Sequence, residues 1–489
     1  MCNLKQPSKS NSISSSLAWN LLERLGTQGT QMIVSIILAR ILMPEAYGIL
    51  SLITVFINLA TVVVETGFGS SIIQKKNLQK REINTVFTFN LVVSLVLCST
   101  IWLCAPLIAD FYSKFDRELL IRVIRVYSLI LPVGAVTSIQ SAMIYRDMQF
   151  KKFFVVNISV IILSSAIGIG MALGGGGVWA LVFQHLSAKV ILLFALLFAI
   201  KWKPWLDFRF KQCMSLFRFG GNILFNRLLN MLYNQASSLV IGKKYTSDML
   251  AYYTKANTFP SLIATNTDYA LQKVMFSAYS KHQDNLAAVK QMMRKTISVS
   301  TFLLSPLLFG LLACSKNFIL VLLTDKWLPS QIYMQIFCIS FFLQPIGTTA
   351  AQAFNGIGKS NITLWVGVVT KVIGILVIFA TVPFGVVYIA WGVLATTVLS
   401  SVVYMIVNRW VFSYSFRQQL WDVGVNMLTA ATMAVVCLTV GWLCSNMAPI
   451  AALCLQVLAG AVWYIGISVA FKNQNMKFLV GKIKTMLKK

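Results

Sequence analysis

The stretch FGGNILFNRLLNMLYNQASSLVIGKKY, residues 219–245, opens like a membrane span and yet carries a full charge at Arg227. Asn226, Asn230, Asn234 and Ser238 recur beside it every four residues, which puts them on one face of a helix. A second stretch repeats the pattern: Glu23, Thr27, Gln31 and Ser35 share a helical face, with Arg24 next to it. Cations flanked by amides can hold an anionic headgroup and replace the water that polar groups lose on leaving solution. Lipid can do neither, so each stripe must face a water-filled cavity or a protein partner. Two acids, Glu65 and Asp268, follow the two stripes at the same separation.

A charge at the bilayer centre costs about 2.5–3.5 kcal/mol on insertion scales, so retaining several calls for a reason. Arg24 lies about 24 Å, and Glu65 about 28 Å, from the outer ends of their spans at 1.5 Å per residue. They are at similar depth, and Arg227 and Asp268 repeat the arrangement. Two readings stay open. The charges neutralise each other as ion pairs inside each half, or the arginines hold an anion while the acids gate or bind a coupling proton or sodium ion. Lys189, Lys255 and Lys371 add positive charge. Each lysine alone is accounted for as well by snorkelling; together they favour an anionic substrate over a cationic one.

The elements that must position these residues follow from composition. Of 489 residues, 57% are hydrophobic and 11% charged, against about 25% charged in a soluble protein. Runs of about 20 apolar residues, each long enough to cross a bilayer, recur throughout. The fold class is therefore an all-α polytopic membrane protein. About fourteen spans are expected, near 17–40, 46–66, 86–109, 121–144, 153–174, 178–200, 219–242, 249–272, 296–314, 331–355, 361–381, 386–408, 420–445 and 448–471.

The chain has 42 Lys and Arg against 14 Asp and Glu, a net charge of +28. These cations are scattered over short loops, which excludes nucleic acid as a partner and fits the positive-inside bias. Loops holding Lys75, Lys76, Lys80 and Arg81; Arg146, Lys151 and Lys152; Lys201, Lys203, Arg209 and Lys211; and Lys281, Lys290, Arg294 and Lys295 are placed in the cytoplasm with both termini. Residues 278–295 read as an amphipathic helix preceding the ninth span. Residues 472–489 read as a basic amphipathic tail on anionic membrane lipids. The nine cysteines form no CxxC pair and only two histidines occur, so no metal site, disulfide framework or cofactor is expected.

An internal repeat explains why the stripes come in pairs. At an offset of 203 residues, NLLERLGTQGTQMIVS (20–35) overlies ILFNRLLNMLYNQASS (223–238), placing Arg24 on Arg227, Gln31 on Asn234 and Glu65 on Asp268. A second block, 131–150 on 344–363, matches at 213 and places Pro132 on Pro345 and Arg146 on Lys359. The organisation is then a cytoplasmic tail (1–16), a six-helix lobe (17–200), a cytoplasmic linker (201–218), a second six-helix lobe (219–412), two further helices (413–471) and a basic cytoplasmic tail (472–489). Parallel repeats of this kind mark transporters, with a hydrophilic cleft expected between the lobes.

The segments LARILMPEAYGILSLITVF, VETGFGSSIIQKK, LFRFGGNILFNRL, LVIGKKYTSDMLAYYTKANTFPSL, LLTDKWLPSQIYMQIFC and NGIGKSN resemble the bacterial polysaccharide-export flippases of the O-unit and colanic-acid type. That family lies within the multidrug/oligosaccharidyl-lipid/polysaccharide superfamily. The resemblance implies an inner-membrane protein that moves an undecaprenyl-pyrophosphate-linked oligosaccharide to the outer leaflet by alternating access. It implies a central cationic cavity, with Arg24 and Arg227 at positions where such proteins carry cavity-lining polar residues. Gln31, Asn230, Asn234, Lys189, Lys255 and Lys371 complete the expected substrate contacts, and a polysaccharide polymerase and assembly proteins are the expected partners. A cation-coupled multidrug antiporter of the same superfamily is the alternative; it would want an acid-rich cavity. A membrane enzyme of polysaccharide assembly is disfavoured by short outer loops and isolated His185 and His282, so no catalytic residue is assigned.

Overall fold

The computed structural model describes residues 11–65, 80–200, 205–207, 210–471, 473–478 and 481. Outside them lie the first ten residues, the loop with Lys75 and Lys76, Lys201, Lys203 and Arg209 of the linker, and Lys472, Lys482, Lys484, Lys488 and Lys489 of the tail. The side chains of Asn226 and Glu65 are likewise outside the description.

The described residues form fifteen α-helices and two short 3-10 turns, with no strand among them. In chain order they are α1 (Asn11–Ile41), α2 (Pro44–Glu65), α3 (Lys80–Phe111), α4 (Arg117–Ser128), α5 (Ile130–Arg146), α6 (Phe150–Leu173), α7 (Val178–Ala199) and α8 (Phe210–Lys244). There follow α9 (Ser247–Lys281), α10 (Leu286–Leu322), α11 (Gln331–Gly356), α12 (Ser360–Thr381), α13 (Val386–Phe412), α14 (Phe416–Leu443) and α15 (Pro449–Ala470). Helices dominate because a backbone in hydrocarbon must satisfy its own hydrogen bonds.

Among the described residues, eleven stretches are long and apolar enough to cross a membrane, α4 and α5 together making one of them. The break between those two falls at Leu129, just before Pro132, whose ring and missing N–H disfavour a continuous helix there. Helices α1, α8 and α9 are not among the eleven; their sequences are the most polar of the long helices. They are also the helices that carry Arg24, Arg227 and Asp268.

The repeat is visible in the helix ends. The turn between α1 and α2 (Leu42, Met43) and that between α8 and α9 (Tyr245, Thr246) lie 203 residues apart, the offset found in the sequence. The second block needs correction at its far end. Helix α5 ends at Arg146 and α11 at Gly356, 210 residues on, so Arg146 corresponds to the end of α11 and not to Lys359. The positive-φ residues of the two following turns, Met148 and Gly358, are 210 apart as well.

The chain falls into two compact units, Met1–Ala251 and Tyr252–Lys489, divided within the first turns of α9. In the first, α6 packs on α1 and α7, α5 on α3 and α7, and α8 on α2. Gly48 of α2 lies so close to the α8–α9 turn that a Cβ there would stand 1.9 Å from the Ser247 carbonyl oxygen. In the second unit, α11 packs on α10 and α13, and α12 on α13, the same pairings as α5 on α3 and α7, and α6 on α7.

The second unit adds α14 and α15, both docked on α10. Polar contacts line the seam. Arg294 forms a two-pronged ion pair with Asp422 at 2.7 and 2.9 Å. The Asn426 amide donates to the Ser298 carbonyl and Thr301 hydroxyl at 2.9 and 2.8 Å. Ser305 meets the Tyr464 hydroxyl at 2.9 Å, and Asn317 donates to Gln456 at 2.8 Å. Residues 294, 298, 301 and 305 repeat at helical spacing and so share one face of α10. On α3, by contrast, Val92, Val96, Leu103 and Leu107 are exposed apolar residues suited to lipid.

One segment differs from expectation in its extent. Residues 278–295 are not one helix: α9 ends at Lys281 and α10 begins at Leu286, with the Asn285 side chain accepting from the Ala288 N–H at 3.0 Å. Residues 286–295 are thus the first turns of a 37-residue helix. The start of the C-terminal tail packs on the protein, with Asn475 donating to the Ser298 hydroxyl at 2.8 Å and Met476 set against the core around Phe302 and Tyr464.

Candidate functional site

The site residues read from the sequence fall on three kinds of surface. Gln31 of α1 and Arg227, Asn230 and Asn234 of α8 are exposed, and Arg24 is half-buried. Of the α8 stripe, Asn230 and Asn234 are exposed, whereas Ser238, one turn further on, is buried. Exposed amides and a guanidinium on helices in a membrane bundle demand water or a polar ligand. Lys189 on α7 and Lys371 on α12 are half-buried. Lys255 on α9 is buried, its Nζ 5.7 Å from the centre of the fully buried Trp327 ring, where a cation gains from the aromatic face.

The acids behave differently. Asp268 is only 6% exposed and its carboxylate accepts from the Gln344 amide of α11 at 2.8 Å. The backbone of Glu65 ends α2.

Sequence reasoning passed over three groups. Glu23 was read as one member of the α1 stripe, but it is buried and accepts from the Asn157 amide of α6 at 2.9 Å. Gln28, one turn on, has a buried Oε1 without a hydrogen-bond partner. The third group is Gln344, Thr348 and Gln352 of α11, which recur every four residues, the same signal that exposed the α8 stripe. Of the two histidines, His185 meets the Tyr127 hydroxyl at 2.9 Å, and His282 is exposed.

These features define a class: a multi-pass membrane protein, all-helical among the described residues, in which three long helices are more polar than the rest. The chain belongs to the polysaccharide biosynthesis protein family, whose sequence model matches residues 37–332. It is 23% identical over 353 residues to the succinoglycan biosynthesis transport protein ExoT of Rhizobium meliloti, covering 72% of this chain and 71% of that one. It is 22% identical over 408 residues to the lipopolysaccharide biosynthesis protein WzxC of Escherichia coli, covering 82% of each. Among solved structures it shares its fold with the lipid II flippase MurJ in an inward closed conformation, at a TM-score of 0.71 and 14% identity over 92% of this chain and 98% of that one. It shares it also with an inward-facing multidrug transporter of the MATE family within the MOP superfamily, at 0.65 and 15% identity over 81% and 97%.

Proposed function

We propose that the protein is a flippase that moves an undecaprenyl-pyrophosphate-linked oligosaccharide across the bacterial inner membrane for cell-surface polysaccharide assembly. It works by alternating access, with fourteen spans and both termini in the cytoplasm, and makes or breaks no covalent bond in its cargo. One observation carries this reading: in a chain of this family, the residues polar enough to carry a headgroup are concentrated on α1, α8 and α9, while eleven other stretches are apolar enough for lipid.

The chemistry of the cargo supplies the need. Moving a pyrophosphate through hydrocarbon costs on the order of tens of kcal/mol, and each unpaired sugar hydroxyl adds about 2–7 more. Arg24 and Arg227 would replace the hydration of the pyrophosphate, with Lys189, Lys255 and Lys371 adding to the positive field. Gln31, Asn230 and Asn234 would bond sugar hydroxyls while the polyprenyl tail stays in lipid. An inside-negative potential favours export of the anion by about 2.3 kcal/mol per charge per 100 mV.

The test is the leaflet distribution of lipid-linked glycan in cells lacking the protein. Accumulation on the cytoplasmic side, cleared by the wild-type chain and not by Arg24→Ala or Arg227→Ala, is the expected result. Normal delivery to the outer leaflet in a strain stripped of related exporters would overturn the reading.

A further inference from the structure

The outer face of α4, in the first unit, is basic. Glu118, Arg122 and Arg125 recur at helical spacing and share that face, while Leu120, Val123, Ile124 and Tyr127 are buried behind it. Arg122 is exposed and pairs with Glu118 at 2.7 Å. Arg125 is half-buried, and its guanidinium carbon stands 4.3 Å from the centre of the Trp102 ring on α3. That ring is 45% exposed.

The nearby acids are engaged elsewhere. Asp110 pairs with Arg117, and Glu118 with Arg122. The Asp116 side chain caps α4 by accepting from the Leu119 N–H at 3.1 Å. Among the described residues no carboxylate pairs with Arg125, and its Nε is buried without a hydrogen-bond partner. A guanidinium keeps its charge in such a place, and a buried charged donor left unmet is costly. The Trp102 face offsets part of that cost. A planar, two-pronged anion would offset the rest.

The level along the helices is that of a lipid headgroup. Helix α3 has 32 residues, about 48 Å, and when centred overruns a hydrocarbon core of about 30 Å by about 9 Å at each end. Trp102 is about 14 Å from the end of α3, and Arg125 about 12 Å from the start of α4. Both stand about one turn inside the hydrocarbon boundary, a depth from which an arginine reaches the headgroups and at which tryptophan is favoured. Further along α3, Leu95, Val96 and Val92 are exposed and continue an apolar track to the middle of the helix.

We propose that this flank binds one anionic phospholipid, with its phosphate on Arg125 and Arg122 and an acyl chain along Trp102, Leu95 and Val92. Charge selects the class of lipid. Two arginines share the face with one acid, Glu118, so a lipid of one negative charge brings it to neutrality. A zwitterionic lipid would set its own ammonium beside two guanidinium groups. None of these residues is among those assigned to the cargo, and the proposal stands whether or not the cargo is a glycolipid.

The experiment uses the purified full-length protein, stripped of lipid in detergent and titrated with phosphatidylglycerol, with retained lipid counted by native mass spectrometry. Phosphatidylcholine and diacylglycerol of the same chains are the comparisons, and inorganic phosphate is the competitor. One phosphatidylglycerol per chain should be held about tenfold more tightly than either comparison lipid. Arg125→Ala should abolish that preference, and Arg125→Lys, which keeps the charge without the planar fork, should retain part of it. Arg125→Met, which keeps the stem on Trp102, removes the charge and serves if the alanine variant does not fold. Arg24→Ala combined with Arg227→Ala should leave the preference intact. Equal retention of phosphatidylcholine, displacement by equimolar inorganic phosphate, a preference unchanged in Arg125→Met, or one lost in the Arg24 and Arg227 double variant would overturn the proposal.

Discussion

The Gln344 amide on α11 donates to the Asp268 carboxylate on α9 at 2.8 Å, so the buried acid of the second unit is held by a neutral partner. The first unit has the same device in a different place, with Asn157 of α6 bonded to Glu23 of α1 at 2.9 Å. An amide orients a carboxylate and leaves its charge in place, whereas an ion pair would cancel it.

The Glu23–Asn157 contact gives a stability prediction. Asn157→Leu leaves the Glu23 carboxylate buried without its donor and should cost about 1–3 kcal/mol. Glu23→Gln, which can still bond an amide, should cost much less. Thermal unfolding of the two variants in the same detergent measures the difference.

Arg24 and Arg227 should be separable from merely structural cations by replacement with lysine. In the proposed role, alanine removes the headgroup contact and surface polysaccharide falls severely. Lysine keeps the charge but loses the planar fork, so part of the export should return. If both alanine variants export normally at matched protein levels, the stripes have another purpose.

The Arg294–Asp422 pair should matter more than an ordinary surface pair, because Asp422 is mostly buried and also accepts from the Tyr414 hydroxyl at 2.6 Å. Allowing for the part-exposed arginine, Asp422→Ala should cost about 1–2 kcal/mol. Hydrogen exchange should then rise first in the first turns of α14, around Phe416–Val425.

Two glycines make a paired test of packing. Gly48→Ala would set a methyl 1.9 Å from the Ser247 carbonyl oxygen, where only backbone could yield, and should lower the yield of folded protein sharply. Gly134→Ala meets nothing within 4 Å and should be silent in the same expression and unfolding assay.

Much of this architecture was legible in the sequence because hydrophobic length and helical spacing are local properties. The α1–α2 and α8–α9 turns stand at the offset that superposes Arg24 on Arg227. What the spacing could not say is what packs opposite a face. Glu23 shares its face with Thr27 and Gln31, yet only the approach of α6 buries it against Asn157. The α11 row of Gln344, Thr348 and Gln352 carried the same spacing signal, and its meaning depended on Asp268, 76 residues earlier. The division of 278–295 turned on one capping side chain, Asn285, which the amphipathic pattern of the stretch concealed.

The polar seam along α10 also has a historical side. Polar groups of Ser298, Thr301, Ser305 and Asn317 are answered across the seam by Asn426, Tyr464 and Gln456. A lineage that lost α14 and α15 in one deletion would leave these groups facing lipid tails, and one that first made α10 apolar would strand the amides of the departing helices. Neither step is harmless alone. The polar ties therefore lock α14 and α15 to α10: neither side can be lost or made apolar by a single change without stranding polar groups on the other.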